Sequence, residues 1–368
     1  MMSPHGKEQQ PATSDSLRRK KLDHGSEAEP LQLMMLGDCM LGRMVNEVLE
    51  SQLSVYPWGD TLQVLKSADW RMCNLECVIS DRGMPWSGYK KAFCFRSAAK
   101  NIAVLEAAQM NAVSLANNHT LDYGYEAMFE MLDILNRAGI AHSGAGANLE
   151  DASRVVVSDV RGKKVGLLAF TDNEPSWEAK ARQPGVFYVP VDLKDRRAHQ
   201  LLEIVRTERN ALDLLIISAH WGGNWGYTPE MGHVPFAHAL IEAGASVVFG
   251  HSCHVFRGIE FYQGRLIFYS AGDFVDDYAV DRMERNDEAF IYILEALDRT
   301  VKTVRLVPTL IRSCQARRAQ GIRRLAMIET MQGLCHGLGS KADWNSDRQW
   351  LEISPSKEQA AETASAHP

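Results

Sequence analysis

The sequence lacks a CxxC pair. Its seven cysteines, at positions 39, 73, 77, 94, 253, 314 and 335, are scattered and odd in number. That argues against a disulfide framework and suits reduced thiols in a cytosol. A long apolar run is missing too: no stretch approaches the roughly 18 residues a membrane span needs. The opening stretch MMSPHGKEQQPATSDSLRRKKLDHGSEAEP holds no apolar core of a secretory signal, so the expectation is a soluble, cytoplasmic protein. Its Arg18-Arg19-Lys20-Lys21 cluster reads first as solvated charge and only second as a contact for anionic lipid. There is no excess of positive charge; the formal net charge of −6 argues against a general nucleic-acid-binding surface. Internal repeats are also absent.

What remains is a globular composition, 45% hydrophobic and 23% charged over 368 residues, enough for a full core. Residues 1–29 and 353–368 are polar and poor in aromatics, as disordered tails are. Between them strand-like and helix-like segments alternate. Leu31 to Leu36, Arg71 to Leu75 and Ala112 to Ala116 read as strands, and Arg43 to Leu53, Ala98 to Gln109 and Tyr123 to Ala138 as helices. Arg154 to Val160 and Val165 to Thr171 read as a hairpin across Arg161-Gly162-Lys163. Helices then follow at Leu193 to Asn210 and Val234 to Ala243, with strands at Asp213 to Ala219 and Ala245 to Phe249. Phe261 to Ser270, Phe290 to Leu297 and Thr303 to Val307 supply further strands, and Ala316 to Gly337 a final helix. This is an α/β chain, best accommodated by two packed sheets flanked by helices. The economical division is one domain over 30–312 with a helical extension over 313–352.

In open α/β architecture ligands sit beyond the carboxyl ends of the strands. Asp38, Glu76, Asn118-His119, His220 and His251 with His254 each follow an apolar run. Singly, each has an ordinary reading. Asp38 can cap the next helix, Asn118 can supply a left-handed turn, and a lone histidine after a strand is more often structural than a ligand. Together, carboxylate, amide and imidazole on one rim form the ligand mixture for Mn²⁺, Fe²⁺ or Zn²⁺.

Six blocks in order, MLGDCMLGR, NLECVIS, LANNHTLDYG, SAHWGGNW, GHSCHVFRGIE and IFYSAGDF, resemble the CapA family of poly-γ-glutamate capsule-synthesis proteins. That family in turn resembles the calcineurin-like metallophosphoesterases. The resemblance runs from about Leu33 to Tyr278. It implies a four-layer α/β/β/α sandwich with a C-terminal helical extension and a metal site at the strand ends. It also implies Asp38, Glu76, Asn118, His220, His251 and His254 as metal-ligand candidates, and His119 as the group that faces substrate and moves a proton.

Departures from the phosphoesterase pattern weigh on this. Asp38-Cys39-Met40 stands where Asp-x-His is expected, Glu76 replaces an aspartate, and Gly250-His251-Ser252-Cys253-His254 has an extra residue between its histidines. A thioether is a poor ligand for a hard ion, so the expectation is one firm divalent site and a second one weakened or lost. Around the site, Asp122 either orients His119 or caps the helix beginning near Tyr123. Asp273 is the best placed of the late carboxylates for support or base duty. Arg43 can clamp an anion or lie on a helix surface; Trp221 and Trp225 can wall a substrate pocket or belong to the core. Cys253 as a thiolate ligand is the lesser reading.

One metal with a histidine and nearby carboxylates can polarise a carbonyl or activate water. The resulting expectation is a metal-dependent hydrolase acting on a peptide or polyanionic γ-glutamyl amide substrate, with His119 as acid/base. The alternatives are a peptide epimerase of the kind the family resemblance associates with lasso peptides, a phosphoesterase, and a non-catalytic partner in capsule assembly. Oligomeric state is not legible in the sequence.

Overall fold

Alternation along the strand Leu31–Cys39 sets the architecture: Leu31, Leu33 and Met35 enter one core while Met34 and Leu36 enter another. A strand with both faces buried reads as a continuous apolar run because both parities are needed inside. The neighbouring strand Trp70–Leu75 splits the same way, Trp70 and Met72 to one side, Cys73 and Leu75 to the other. The computed structural model describes residues 29–297, 299–357 and 359. The expected disordered tails lie mostly outside them, as does the Arg18–Lys21 cluster. Residues 353–355, assigned to the second tail, instead complete the strand Trp350–Pro355.

Two large sheets carry the fold. The first runs Ser340–Asn345, Trp350–Pro355, Thr300–Arg312, Glu288–Leu297, Leu31–Cys39, Trp70–Leu75, Ala112–Ser114, Ala141–Ser143. Its last four strands are mutually parallel, and the short strand Asp273–Val275 adds in parallel to Leu31–Cys39. The second sheet runs Ile259–Tyr262, Arg265–Phe268, Val247–His251, Leu214–His220, Lys163–Thr171, Val156–Val160, with its inner four strands parallel. Leu167, Ile216, Phe249 and Phe268 of the second sheet share a core with Leu33, Met35 and Met72 of the first. The intervening residues Leu168, Ile217 and Val248 face the helices Arg196–Glu208 and His233–Ala243, and the far side of the first sheet packs on Gly124–Arg137. The mixed α/β class expected from the sequence is the one adopted, with helices outside both sheets.

Local differences have physical causes. The segment read as one strand over Phe261 to Ser270 is a hairpin, because Gln263 and Gly264 both hold positive φ (49° and 70°) and turn the chain. The last helix starts at Gly321, not Ala316, because Gln315–Arg318 pairs with Thr300–Arg312. Beyond that helix, whose Met327, Met331 and Cys335 plug the inter-sheet core, two further strands extend the first sheet, so the region after 313 is not helix alone. No helix among the described residues is long and apolar enough to cross a membrane.

The parallel strands Leu31–Cys39, Trp70–Leu75 and Ala112–Ser114 of the first sheet and the inner four strands of the second bring their carboxyl ends to one rim. Asp38 lies level with Asn74 on one side and Asp273 on the other, and His220 lies level with His251 across the second sheet.

Candidate metal centre

Two groups of ligating side chains meet at that rim, and they share Asp38. Asp38, His220 and His251 have ligand atoms within 4.8 Å of one another, and so do Asp38, Glu76, His254 and Asp273. All are buried except His254, which is half-buried. The approach of Gly37 to the Gly272 backbone makes the sharing possible: a Cβ on Gly37 would sit 1.8 Å from the Gly272 carbonyl oxygen, which accepts from the Asp38 backbone N–H at 2.9 Å. The extra residue between His251 and His254 splits the two rings between the two groups. Ser252 and His254 adopt positive φ (104° and 56°) to do so, conformations that side-chain-bearing residues hold only when their surroundings enforce them.

In the first group the Nδ1 atoms of His220 and His251 face each other at 2.9 Å. The Asn118 side-chain oxygen lies 3.0 Å from His220 Nε2 and accepts its proton, which leaves Nδ1 as a lone pair. His251 Nε2 contacts the Ser218 hydroxyl at 2.7 Å, and its Nδ1 stands 3.6 Å from Asp38 Oδ1. Burial pushes His251 down to about 3 and His220 well below its usual value, so both rings are neutral at pH 7. Two neutral imidazoles and a carboxylate converging in a dry pocket are a donor set for a borderline divalent ion.

The second group concentrates negative charge. Burial raises Asp38 to about 6 and lifts Glu76 and Asp273 well above the carboxylate range; the neighbouring Asp38 charge lifts both of the latter further. Asp276, also buried, is raised to about 7. Apart from the contact the Asp273 and Asp276 carboxyls make with each other, no hydrogen-bond donor reaches Asp273 Oδ2 or Asp276 Oδ2. Buried acceptors left without a donor are costly, and a cation would satisfy Asp273 here. Nitrogen and oxygen donors in this proportion fit Mn²⁺, Fe²⁺ or Zn²⁺.

The expectation of a weakened second site rested on Met40 as a would-be ligand, and the structure places Met40 elsewhere. Met40 is buried in the first core with its sulfur accepting from the Gly42 N–H at 3.0 Å, and the second group is assembled without it. Trp221 is corrected as well. It is fully buried in the core under the second sheet, stacked on His233 with its N–H donating to the Tyr269 carbonyl at 3.0 Å, so it walls no pocket. Cys253 is buried, donates to the Val255 carbonyl and stands in neither ligand group; burial raises its thiol.

A cleft of about 390 Å³ opens over the rim. Asn118, His119, His254 and Tyr278 line it, together with Arg43 and Trp225. His119 Nδ1 is 2.6 Å from Asp122 Oδ2, and its ring stacks on Phe95 at 4.0 Å. Burial lowers His119 to about 4, with Asp122 pulling the other way. Asp122 does not cap the Gly124–Arg137 helix; its carboxylate takes the Phe95 N–H at 2.6 Å and the Lys91 ammonium at 2.5 Å. Asp273 accepts from His254 Nδ1 at 2.8 Å, which agrees with the support expected of it, and its carboxylate also lies within reach of Asp38 and Glu76 in the second group.

Three contributors went unread in the sequence. Asn74 donates to Asp38 Oδ1 at 2.8 Å, and Asn117 donates to Asn74 at 3.0 Å, a relay that fixes the shared carboxylate. Lys91 bridges Asp122 and the Asn118 carbonyl. The signal for Asn74 was there, an amide near the end of a buried strand whose other polar residue is Arg71. Lys91 lies between short bridges with no periodicity to flag it.

With this rim and its ligand groups in view, comparison with known proteins assigns a class. Residues 32–278 match the family described as bacterial capsule synthesis protein PGA_cap, and the chain belongs to that family. A probable polyglutamine synthesis accessory protein of Mycobacterium tuberculosis (strain H37Rv) is 39% identical over 230 residues, covering 61% of this chain and 60% of that protein. The capsule biosynthesis protein CapA of Bacillus anthracis is 29% identical over 257 residues, covering 68% of this chain and 61% of that protein. The PGA biosynthesis protein CapA of Bacillus subtilis (strain 168) is 28% identical over 252 residues, covering 67% and 63%. The matches thus span about three fifths of these relatives' length.

Proposed function

We propose that the chain is a metal-dependent enzyme that acts on an amide of a peptide or γ-glutamyl substrate. Asp38, His220 and His251 would hold one divalent ion, and Asp38, Glu76, His254 and Asp273 a second. An ion there supplies Lewis acidity, which polarises a carbonyl or lowers the pKa of water. The observation that carries the reading is the placement of His119 on the same cleft that His254 of the second group lines, beside Asn118, which bonds His220 of the first. His119, neutral and tied through Nδ1 to Asp122, presents Nε2 as a proton acceptor and returns the proton to a leaving nitrogen. Asp122 fixes the tautomer, and Lys91 holds Asp122 in place. The relatives' names, a synthesis accessory protein and two biosynthesis proteins, agree with a γ-glutamyl context.

A second reading, exchange of a Cα proton, is favoured by one observation. Two histidine–carboxylate pairs, His119–Asp122 and His254–Asp273, stand on one cleft, and epimerisation needs two proton-transfer groups.

Incubating metal-loaded protein in D₂O with peptides and γ-glutamyl oligomers separates the readings. New amine is the expected product. Deuterium at Cα without cleavage supports proton exchange instead, released phosphate from an ester supports a phosphoesterase, and none of these with metal retained supports an assembly role. His220→Ala is expected to lose metal, whereas His119→Ala keeps metal and loses roughly 10²–10⁴-fold in turnover. Full activity in His119→Ala contradicts its acid–base role.

A further inference from the structure

We infer that the cleft selects a peptide bearing an aromatic or large apolar side chain beside the reacting amide, not a polyanionic γ-glutamyl chain. This deepens the amide-enzyme reading and rests on it. Phe93 and Trp225 line the cleft and are 60% and 47% exposed. Large aromatic faces left open at the mouth of a cleft mark a binding surface for an apolar group.

Charge points the same way. The cations lining the cleft are Arg43 and Lys91, and both are already engaged. Arg43 Nε pairs with Asp277 at 3.3 Å, and Lys91 pairs with Asp122 at 2.5 Å while donating to the Asn118 carbonyl. The Arg43 guanidinium lies over the Phe93 and Phe95 rings at 5.8 and 5.7 Å, adding to the aromatic wall. Recognition of successive carboxylates calls for several unpaired guanidinium or ammonium groups along the path, and the lining offers only the outer nitrogens of Arg43.

Trp225 is exposed at its ring but anchored at its backbone. Buried Arg257 donates to the Gly226 carbonyl at 2.7 Å and the Trp225 carbonyl at 3.2 Å, and Glu284 accepts from the Gly226 N–H at 2.6 Å. These three hydrogen bonds hold the backbone at Trp225 and Gly226, and the indole meets the His254 ring edge-on at 6.0 Å, which lowers the ordering cost of binding.

Calorimetric titration of the full chain loaded with Mn²⁺ tests this. The probes are acetyl-Gly-X-Gly-amide, with X as Trp, Phe or Glu, and hexa-γ-glutamate, at physiological ionic strength. The Trp and Phe peptides are expected to bind at least about tenfold tighter than either acidic probe. The Phe93→Ala/Trp225→Ala double variant, altered only at exposed side chains, is expected to reduce that preference to about twofold or less. Equal or tighter binding of hexa-γ-glutamate, no measurable binding of the aromatic peptides, or an undiminished preference in the double variant overturns the inference. Binding without turnover leaves it standing and removes the amide-enzyme reading; turnover of a tightly bound γ-glutamyl oligomer does the reverse.

Discussion

Asp38 is the residue on which both ligand groups depend, and its environment makes its role measurable. Replacing it with alanine is expected to remove both ions, whereas His251→Ala and His254→Ala each remove one, as metal-to-protein ratios after desalting would read out. Asn74→Ala touches no ion but frees Asp38 from its hydrogen bond. A loss of about 10–100-fold in metal affinity is expected, measured by competition with a chelator. The protonation of Asp38 sets a pH dependence. Burial raises it to about 6, so an incoming ion must displace a proton below that pH, while His220 and His251 are already neutral there. Affinity at the His220–His251 group is therefore expected to weaken as pH falls through about 6, by about tenfold per unit for the one proton displaced there. In metal-free protein the sign for stability is opposite. The folded state holds this proton more tightly than the unfolded chain does, so the contribution is present at low pH and lost as pH rises through about 6. Added metal should accordingly raise the melting temperature more at pH 7.5 than at pH 5.5. At this scale most ligands were legible as polar residues ending apolar runs. Asn74 and the grouping of Asp273 with Asp38 and Glu76 were not, since each depends on what lies opposite in another strand.

Among the elements, the contact between Leu31–Cys39 and the turn before Asp273–Val275 decides whether the rim closes. A Cβ on Gly37 meets backbone that cannot move aside. Gly37→Ala is expected to cost at least about 2 kcal/mol and to part Asp38 from Asp273, seen as a lower melting temperature together with metal loss. Gly139→Ala is the contrast. It sits at φ 68° with nothing within 4 Å, so it should cost only about 1 kcal/mol and leave metal binding intact. Strands and amphipathic helices were legible because their apolar residues recur at a fixed period. The Gln263-Gly264 turn and the Gln315–Arg318 strand were not: positive φ at a glutamine has no sequence signature, and a four-residue edge strand ending in two arginines reads as helix or loop.

For the whole molecule, three cores hold two sheets so that the carboxyl ends of their parallel strands face one cleft. The alternation of βα units announced the α/β class, and the order of the six motif blocks announced the family. Whether Trp221 faced cleft or core was open in the sequence, because a residue just past a strand end has no parity to assign it. Met40 posed the same problem beside the shared aspartate. The central claim is that Asp38 is held in common by two cation sites. Anomalous diffraction from crystals of the Mn²⁺-loaded protein tests it directly. The account predicts manganese density on both sides of Asp38, against His220 and His251 on one and against Glu76, His254 and Asp273 on the other; a map with density on one side alone, or on neither, contradicts it.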